Sequence, residues 1–123
     1  MNKPPTPSCL PNGEKEISHL CTNFHNAIEF LGKRWMGIVI YSLLDGPKRY
    51  NEINSAIPGI SDRLLTERLR DLEKEGLIKK NVLNTSPKKV EYELTTAGKD
   101  LEEVIHALIK WIKDRKQSTE INY

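Results

Sequence analysis

Residues able to bond nucleic-acid bases and phosphates lie within one short stretch, from Ser61 to Arg70. A guanidinium can donate two parallel hydrogen bonds to guanine O6 and N7, while serine and threonine hydroxyls usually bond phosphate or a single base atom. Arg63, Thr66 and Arg70 recur at spacings of three and four residues, which puts them on one side of a helix. This pattern predicts a surface that reads double-stranded DNA.

The helix that would carry these residues also has an apolar side. Its leucines share the face opposite the arginines: Leu65, Leu69 and Leu72, with Leu64 at the flank. Ser61 is a favourable N-cap and Gly76 a favourable stop, so a helix is predicted over 61–75. An amphipathic helix with a merely solvated charged face has the same pattern, and the helix alone leaves that alternative open.

Two further basic groups flank this helix along the chain. Lys48 and Arg49 stand just before a predicted short helix, whose N-terminal amides favour anions, so both side chains are candidates for phosphate contact. Ser86, Lys88 and Lys89 fall at the predicted tip of a hairpin. A hairpin tip with these residues could reach a phosphate or the minor groove.

The elements that must position these residues follow from periodicity and breakers. Helices are predicted over 22–31, 34–44, 50–56 and 61–75, strands over 77–83 and 90–94, and a last helix from Thr95 or Thr96 to 116. Pro58-Gly59 separates the third and fourth helices. The predicted fold is mainly α with a small β-hairpin wing (α+β): a winged helix-turn-helix with N- and C-terminal dimerisation helices. Its parts are a flexible leader over 1–18, the domain over 19–116 and a tail over 117–123.

The last predicted helix carries a long apolar stripe at helical spacing. Its members are Leu101, Val104, Ile105, Leu108, Trp111 and Ile112. The stripe could pack on its own domain, but a helix projecting beyond a small winged core would leave apolar surface exposed. Packing against a symmetric copy removes that surface, so a homodimer is expected.

Composition excludes several classes. No apolar run reaches the roughly 20 residues of a membrane helix, and the Pro-rich start lacks an apolar secretory segment, so a cytoplasmic protein without membrane contact is expected. Neither a nucleophile–base spacing nor a glycine-rich phosphate loop points to an enzyme or a cofactor. His19, Cys21 and His25 have no fourth partner at regular spacing, so no metal site is expected.

Five ordered motifs resemble the HxlR-type winged-helix transcriptional regulators of bacteria. They read LGKRW at 31–35, LDGPKRY at 44–50, IPGIS at 57–61, LLTERLRDLE at 64–73 and VEYELT at 90–95, and the resemblance spans about residues 21–112, most of the chain. The resemblance implies a homodimeric DNA-binding repressor or activator that binds a palindromic operator, and a repressor is the expected form. It also implies that the helix after Pro58-Gly59 is the reader.

The resemblance also reaches Cys21. One subgroup senses quinones or diamide through a cysteine placed before the first helix, fourteen positions ahead of a tryptophan, and Cys21 has that spacing to Trp35. The subgroup has proline where this chain has Thr22. A thiol at a helix N-terminus is favoured as thiolate, so Cys21 is a candidate redox sensor for a small electrophile. The alternative is a buried, inert sulfur. The resemblance assigns no role to Cys9.

A second function class remains open at this point. A winged-helix module that binds another protein and no DNA would share the fold. The basic residues at the helix start and at the wing favour the DNA-binding interpretation.

Overall fold

A computed structural model describes the backbone of residues 15–118 and the side chains of residues 22–116. The chain divides into two compact units, residues 1–36 and 37–123. None of the described helices combines the length and the apolar character needed to cross a membrane.

The first unit contains helix α1, Lys15–Leu31. Gly32 follows its last residue, as predicted, and the Gly32 amide donates to the Ile28 carbonyl at 2.8 Å. The predicted start at Thr22 is wrong: α1 begins at Lys15, because its apolar stripe continues upstream through Ile17 and Leu20. The helix therefore includes residues 15–18, which were assigned to the leader.

The earlier start of α1 changes the position of Cys21. Cys21 lies inside α1 rather than just before it. The helix dipole acts within the first turn, so the argument from a helix N-terminus does not apply at this position. The Cys21 side chain lies outside the described side chains, as do those of Cys9 and His19.

The remaining elements form a winged arrangement in the second unit, which contains all of their residues except Met36, the first residue of the second helix. They are α2 (Met36–Ser42), β1 (Lys48–Arg49), α3 (Tyr50–Ala56), α4 (Asp62–Lys74), β2 (Ile78–Leu83), β3 (Lys89–Leu94), α5 (Thr96–Lys99) and α6 (Leu101–Ser118). The predicted second helix began at Arg34, but Trp35 has a positive φ of 70° and cannot continue a right-handed helix. At the other end, α6 extends two residues past the predicted boundary at 116.

The core of this unit is aliphatic and draws on every larger element except α6. Its buried side chains in residues 37–118 are Val39, Ile40, Leu43, Ile53, Ile57, Ile60, Leu65, Leu69, Leu72, Ile78 and Leu94. The prediction for the α4 leucines is confirmed, with Leu64 half-buried at the flank. Burying the leucine face leaves the arginine face of α4 toward solvent.

The wing is a three-stranded antiparallel sheet in the order β1-β3-β2. The two predicted strands are present, and Ile78 pairs with Leu94 at their base while Leu83 pairs with Lys89 near the tip. Strand β1 was not predicted. Its two residues pair with the central strand, Lys48 with Tyr92 and Arg49 with Glu91. This pairing ties the base of the wing to the chain that enters α3.

A close-packed corner splits the predicted last helix into two. Thr95 caps α5 as predicted: its Oγ1 accepts from the Gly98 amide at 3.2 Å and also donates to the Gly76 carbonyl at 2.6 Å. Gly98 is buried, and a Cβ atom there would lie 2.1 Å from the Leu77 carbonyl oxygen. The chain then turns at Asp100 before α6 begins.

Candidate nucleic-acid interface

Helices α3 and α4 form the expected helix-turn-helix pair around Pro58-Gly59. Gly59 has a φ of 93°, a conformation that glycine adopts without steric cost. Ser61 is the N-cap of α4, and its Oγ accepts from the Leu64 amide at 3.1 Å. The predicted N-cap is therefore confirmed, and the first turn of α4 has a fixed start.

A polar cluster joins α3 to the first turn of α4. The Tyr50 hydroxyl donates to Asp62 Oδ1 at 3.0 Å, and Asn54 Nδ2 donates to the same oxygen at 3.2 Å. The Thr66 hydroxyl also bonds to Tyr50. Partial burial is the main reason that the pKa of Tyr50 is raised; the hydrogen bond with Thr66 opposes the rise, and the Asp62 carboxylate adds to it.

Tyr50, Asn54 and Asp62 were not predicted from the sequence as site residues. The available signal was a set of polar residues on both sides of the Pro58-Gly59 turn. The cluster also affects Thr66, which was predicted to face DNA. Thr66 is half-buried and engaged with α3, so its hydroxyl stands at the edge of the reading face rather than at its centre.

The outer face of α4 presents two arginines to solvent. The Arg63 side chain is 90% exposed, and its Nε atom lies 3.5 Å from Glu67 Oε1. Arg70 is exposed and makes no ion pair with the part of the chain that the structure describes. Arg68 differs: its side chain is only 15% exposed and pairs with Asp71 at 2.8 Å. Arg63 and Arg70 are therefore the guanidinium groups best placed to meet a ligand.

The structure changes the interpretation of Lys48 and Arg49. The Lys48 ammonium pairs with Asp45 Oδ1, its side chain is 22% exposed, and this hydrogen bond is the main reason that the pKa of Asp45 is lowered. The Arg49 amide donates to Glu52 Oε1 at 2.8 Å, which lowers the pKa of Glu52. Glu52 thus already occupies the α3 N-terminus where a phosphate was expected.

The wing tip lies in the loop over 84–88. Ser86, Lys88 and Lys89 are exposed, and neither lysine forms an ion pair with another described residue. Beside them Val82 and Val90 face each other across the strands, and both are exposed. The tip therefore offers two ammonium groups beside a small apolar patch, and the patch was not predicted from the sequence.

The predicted dimer stripe lies along α6. Val104, Leu108 and Trp111 are exposed, with Leu108 at 54%, whereas Leu101, Ile105 and Ile112 are half-buried. Gly37, Ile38 and Tyr41 of α2 line one side of an apolar groove of about 290 Å³, and α6 residues including Leu108 and Ile112 line the other. The groove and the exposed stripe form one apolar surface.

Metal-binding clusters can be sought only among the described side chains. Among these, no group of three or more His, Cys, Asp and Glu side chains could hold a metal ion. His25 lies 3.8 Å from Glu29, one turn along α1. His19 and Cys21 lie outside the described side chains.

Comparison with known proteins gives consistent results. A family model, the HxlR-like helix-turn-helix, matches residues 30–120. The HTH-type transcriptional regulator YvaP of Bacillus subtilis (strain 168) is 40% identical over 94 residues, which span 76% of this chain and 87% of YvaP. The HTH-type transcriptional regulator YodB of the same organism is 42% identical over 92 residues, 75% of this chain and 82% of YodB.

Two solved structures extend the comparison. The redox regulator HypR in its oxidized form is similar with a TM-score of 0.70 and 34% identity, covering 81% of this chain and 99% of HypR. The quinone-bound form of YodB is similar with a TM-score of 0.68 and 37% identity, covering 76% of this chain and 99% of YodB.

Proposed function

Since this chain belongs to the HxlR-like helix-turn-helix family, we propose that it is a sequence-specific DNA-binding transcriptional regulator. It acts in the cytoplasm as a repressor. The observation that carries the proposal is the exposed arginine face of α4, held at a fixed angle to α3 by the Asp62 cluster. A recognition helix enters the major groove with its N-terminal residues nearest the base edges.

The proposed contacts divide into two groups. In the major groove, Arg63 and Arg70 contact bases, with Ser61 and Thr66 at the margin. At the wing, Ser86, Lys88 and Lys89 contact the backbone. Arg49 stays in the proposed set as a phosphate contact: its Nε atom lies 3.6 Å from Glu52 Oε1, but its side chain is about half exposed. Lys48 is withdrawn from it, because its ammonium is paired with Asp45 and its side chain is only 22% exposed.

The test begins with selection of bound sequences from a random duplex pool, followed by fluorescence-anisotropy titration at two salt concentrations. Arg63→Ala or Arg70→Ala should each cost about 1 to 3 kcal/mol of operator binding and relax preference at one base pair. Lys88→Ala should weaken all duplexes alike and reduce the salt slope by about 1. The absence of any duplex binding would favour the alternative, a winged-helix module that binds protein.

We further propose that two copies act together through the α6 stripe. A two-fold dimer presents two reading helices to half-sites about 34 Å apart, one turn of DNA, and such a dimer selects a palindrome. The exposed Val104, Leu108 and Trp111 support this assembly. A selected consensus without two-fold symmetry would contradict it.

We also propose Cys21 as the sensor of a small electrophile. The support comes from relatives: HypR is a redox regulator solved in an oxidized form, and YodB has been solved bound to quinone and after diamide treatment. The Cys21 thiolate would add to a quinone ring, which takes up a proton, or diamide would oxidise two Cys21 thiols to an intersubunit disulfide. Cys21 lies before the residues that the family model matches.

The sensor test compares wild type, Cys9→Ser and Cys21→Ser after treatment with diamide or benzoquinone. Wild type and Cys9→Ser should release the operator, while Cys21→Ser stays bound. Nearly complete release requires that modification favour the non-binding state by about 5.5 kcal/mol. Continued binding by all three proteins would leave Cys21 with a structural role only.

A further inference from the structure

A second cleft in residues 37–118 has no part in the reading face. Its volume is about 500 Å³, and it lies between the end of α2, β1, the end of α3 and the start of α6. Small-molecule sites usually have about 300–1,000 Å³, an apolar lining and a few polar groups. Size and position therefore make this cleft a candidate ligand site.

The apolar part of the cleft comes from α2, α3 and the residues that follow each helix. Leu44, Ala56 and Ile57 contribute aliphatic surface, and Ile57 is almost fully buried. The Tyr41 ring adds an aromatic wall and is about half exposed. A small hydrocarbon or aromatic group could therefore leave water and pack against these side chains.

The polar part of the cleft is negatively charged. Asp45 and Glu102 carry two negative charges against the one positive charge of Lys48, which leaves one net negative charge when His106 is neutral. Lys48 is already paired with Asp45. Glu102 makes no ion pair with any residue that the structure describes, so its carboxylate is available to a cation.

We propose that this cleft binds a small organic amine, with its ammonium group on Glu102 and its apolar body against Tyr41, Leu44 and Ile57. An anion would meet the carboxylates of Asp45 and Glu102 with no unpaired ammonium to hold it. A cation gains a charge-assisted hydrogen bond from Glu102 and attraction to the face of the Tyr41 ring.

Occupancy of the cleft would connect two parts of the proposed regulator. Glu102 and His106 stand on α6, whereas Ala56 and Ile57 end α3, the first helix of the helix-turn-helix. A bound amine would contact both, and it would favour the spacing between α6 and the helix-turn-helix that it binds most tightly. This consequence rests on the proposed function, whereas the binding itself does not.

The test is calorimetric titration of the full chain, without DNA, with two probes that share a phenyl ring. The probes are 2-phenylethylamine, a cation near neutral pH, and 3-phenylpropionate, an anion. The amine should bind about tenfold tighter than the carboxylate, as expected for one charged hydrogen bond. Glu102→Gln should remove that preference, and the matched control Glu103→Gln, on the adjacent exposed residue, should keep it.

A further variant tests the volume of the cleft. Ala56→Trp places an indole in the cleft and should abolish amine binding; if that variant does not fold, Tyr41→Ala should weaken binding about tenfold. The proposal is overturned if no amine binding occurs up to about 10 mM, or if both probes bind equally. It is also overturned if Glu103→Gln loses as much affinity as Glu102→Gln, or if a second copy of the chain covers the cleft and excludes the probe.

Discussion

The hydroxyl of Tyr50 on α3 donates to Oδ1 of Asp62 on α4 at a distance of 3.0 Å. The same hydroxyl lies 3.1 Å from the Asp62 carbonyl oxygen. Asn54 adds a second donor to the Asp62 carboxylate. The angle between the two helices is therefore set by polar contacts as well as by the buried Ile53 and Leu65 side chains.

Loss of the Asn54 donor should destabilise the protein more than a matched change on the same helix. Asn54→Ala is expected to lower the free energy of unfolding by about 1 kcal/mol, one net hydrogen bond. Asn51→Ala, at an exposed residue of α3, should change it by less than about 0.5 kcal/mol. Both replacements gain the same helix propensity. Urea denaturation followed by circular dichroism gives the two values, and equal losses would assign Asn54 no role in the cluster.

Gly98 should tolerate no side chain. A Cβ atom 2.1 Å from the Leu77 carbonyl oxygen must push the backbone corner apart, so Gly98→Ala should cost about 1 to 3 kcal/mol of stability. The control is Gly37→Ala in α2, where a Cβ atom has no neighbour within 4 Å. That change should stabilise by about 0.5 to 1 kcal/mol through helix propensity. Thermal and urea unfolding of both variants distinguish close packing from a general requirement for glycine.

Stability at the wing should depend on pH through Glu93. A hydrogen bond from Asn81, followed by the charge of Lys79, lowers the Glu93 pKa below its ordinary value of 4.5. The unfolded chain therefore binds the proton first, and the stabilisation is present above about pH 4.5 and lost as pH falls through the lowered pKa. Wild type should exceed Glu93→Gln in urea midpoint near neutral pH, and the difference should shrink toward pH 3. The exposed Glu75→Gln is the matched control, and a constant difference across pH would contradict the assignment.

The α6 stripe should decide the oligomeric state. Wild type is expected to sediment at twice the chain mass of 14.1 kDa. Leu108→Glu places a charge in the exposed apolar surface and should yield monomer with weaker operator binding. Lys113→Glu, at an exposed residue off the stripe, should remain dimeric. Sedimentation velocity at micromolar concentration measures both, and a wild-type monomer would exclude the proposed interface.

Much of the helix-turn-helix and the wing could be predicted, because their sequence signals come from residues that are neighbours along the chain. The leucine spacing fixed the buried face of α4, and Ser61, Gly59 and Gly76 marked its limits because capping and positive φ depend on neighbouring residues. The hairpin was predictable for the same reason. These elements carry Arg63, Arg70, Lys88 and Lys89, so the exposed cations of the proposed interface came from the sequence.

The remaining features depend on contacts distant along the chain. Strand β1 is two residues long and exists through its pairing with β3. It is too short to show the alternation of apolar and polar residues that predicts a strand. The break before α6 reflects the fit of Gly98 against Leu77, which precedes β2 and is distant along the chain. Lys48 looked available for phosphate because its partner Asp45 is reached only through the turn that the fold imposes.

The pairing of Lys48 with Tyr92 and of Arg49 with Glu91 also separates two properties of the fold that can vary independently. The base of the wing is fixed to the start of α3, and through Asp62 to α4, whereas the loop over 84–88 lies beyond the last strand pair. Insertions or deletions in that loop change the reach of the tip while the strand register holds the base in place. Related chains can therefore evolve different contacts with the DNA backbone without altering the angle at which α4 is presented to DNA.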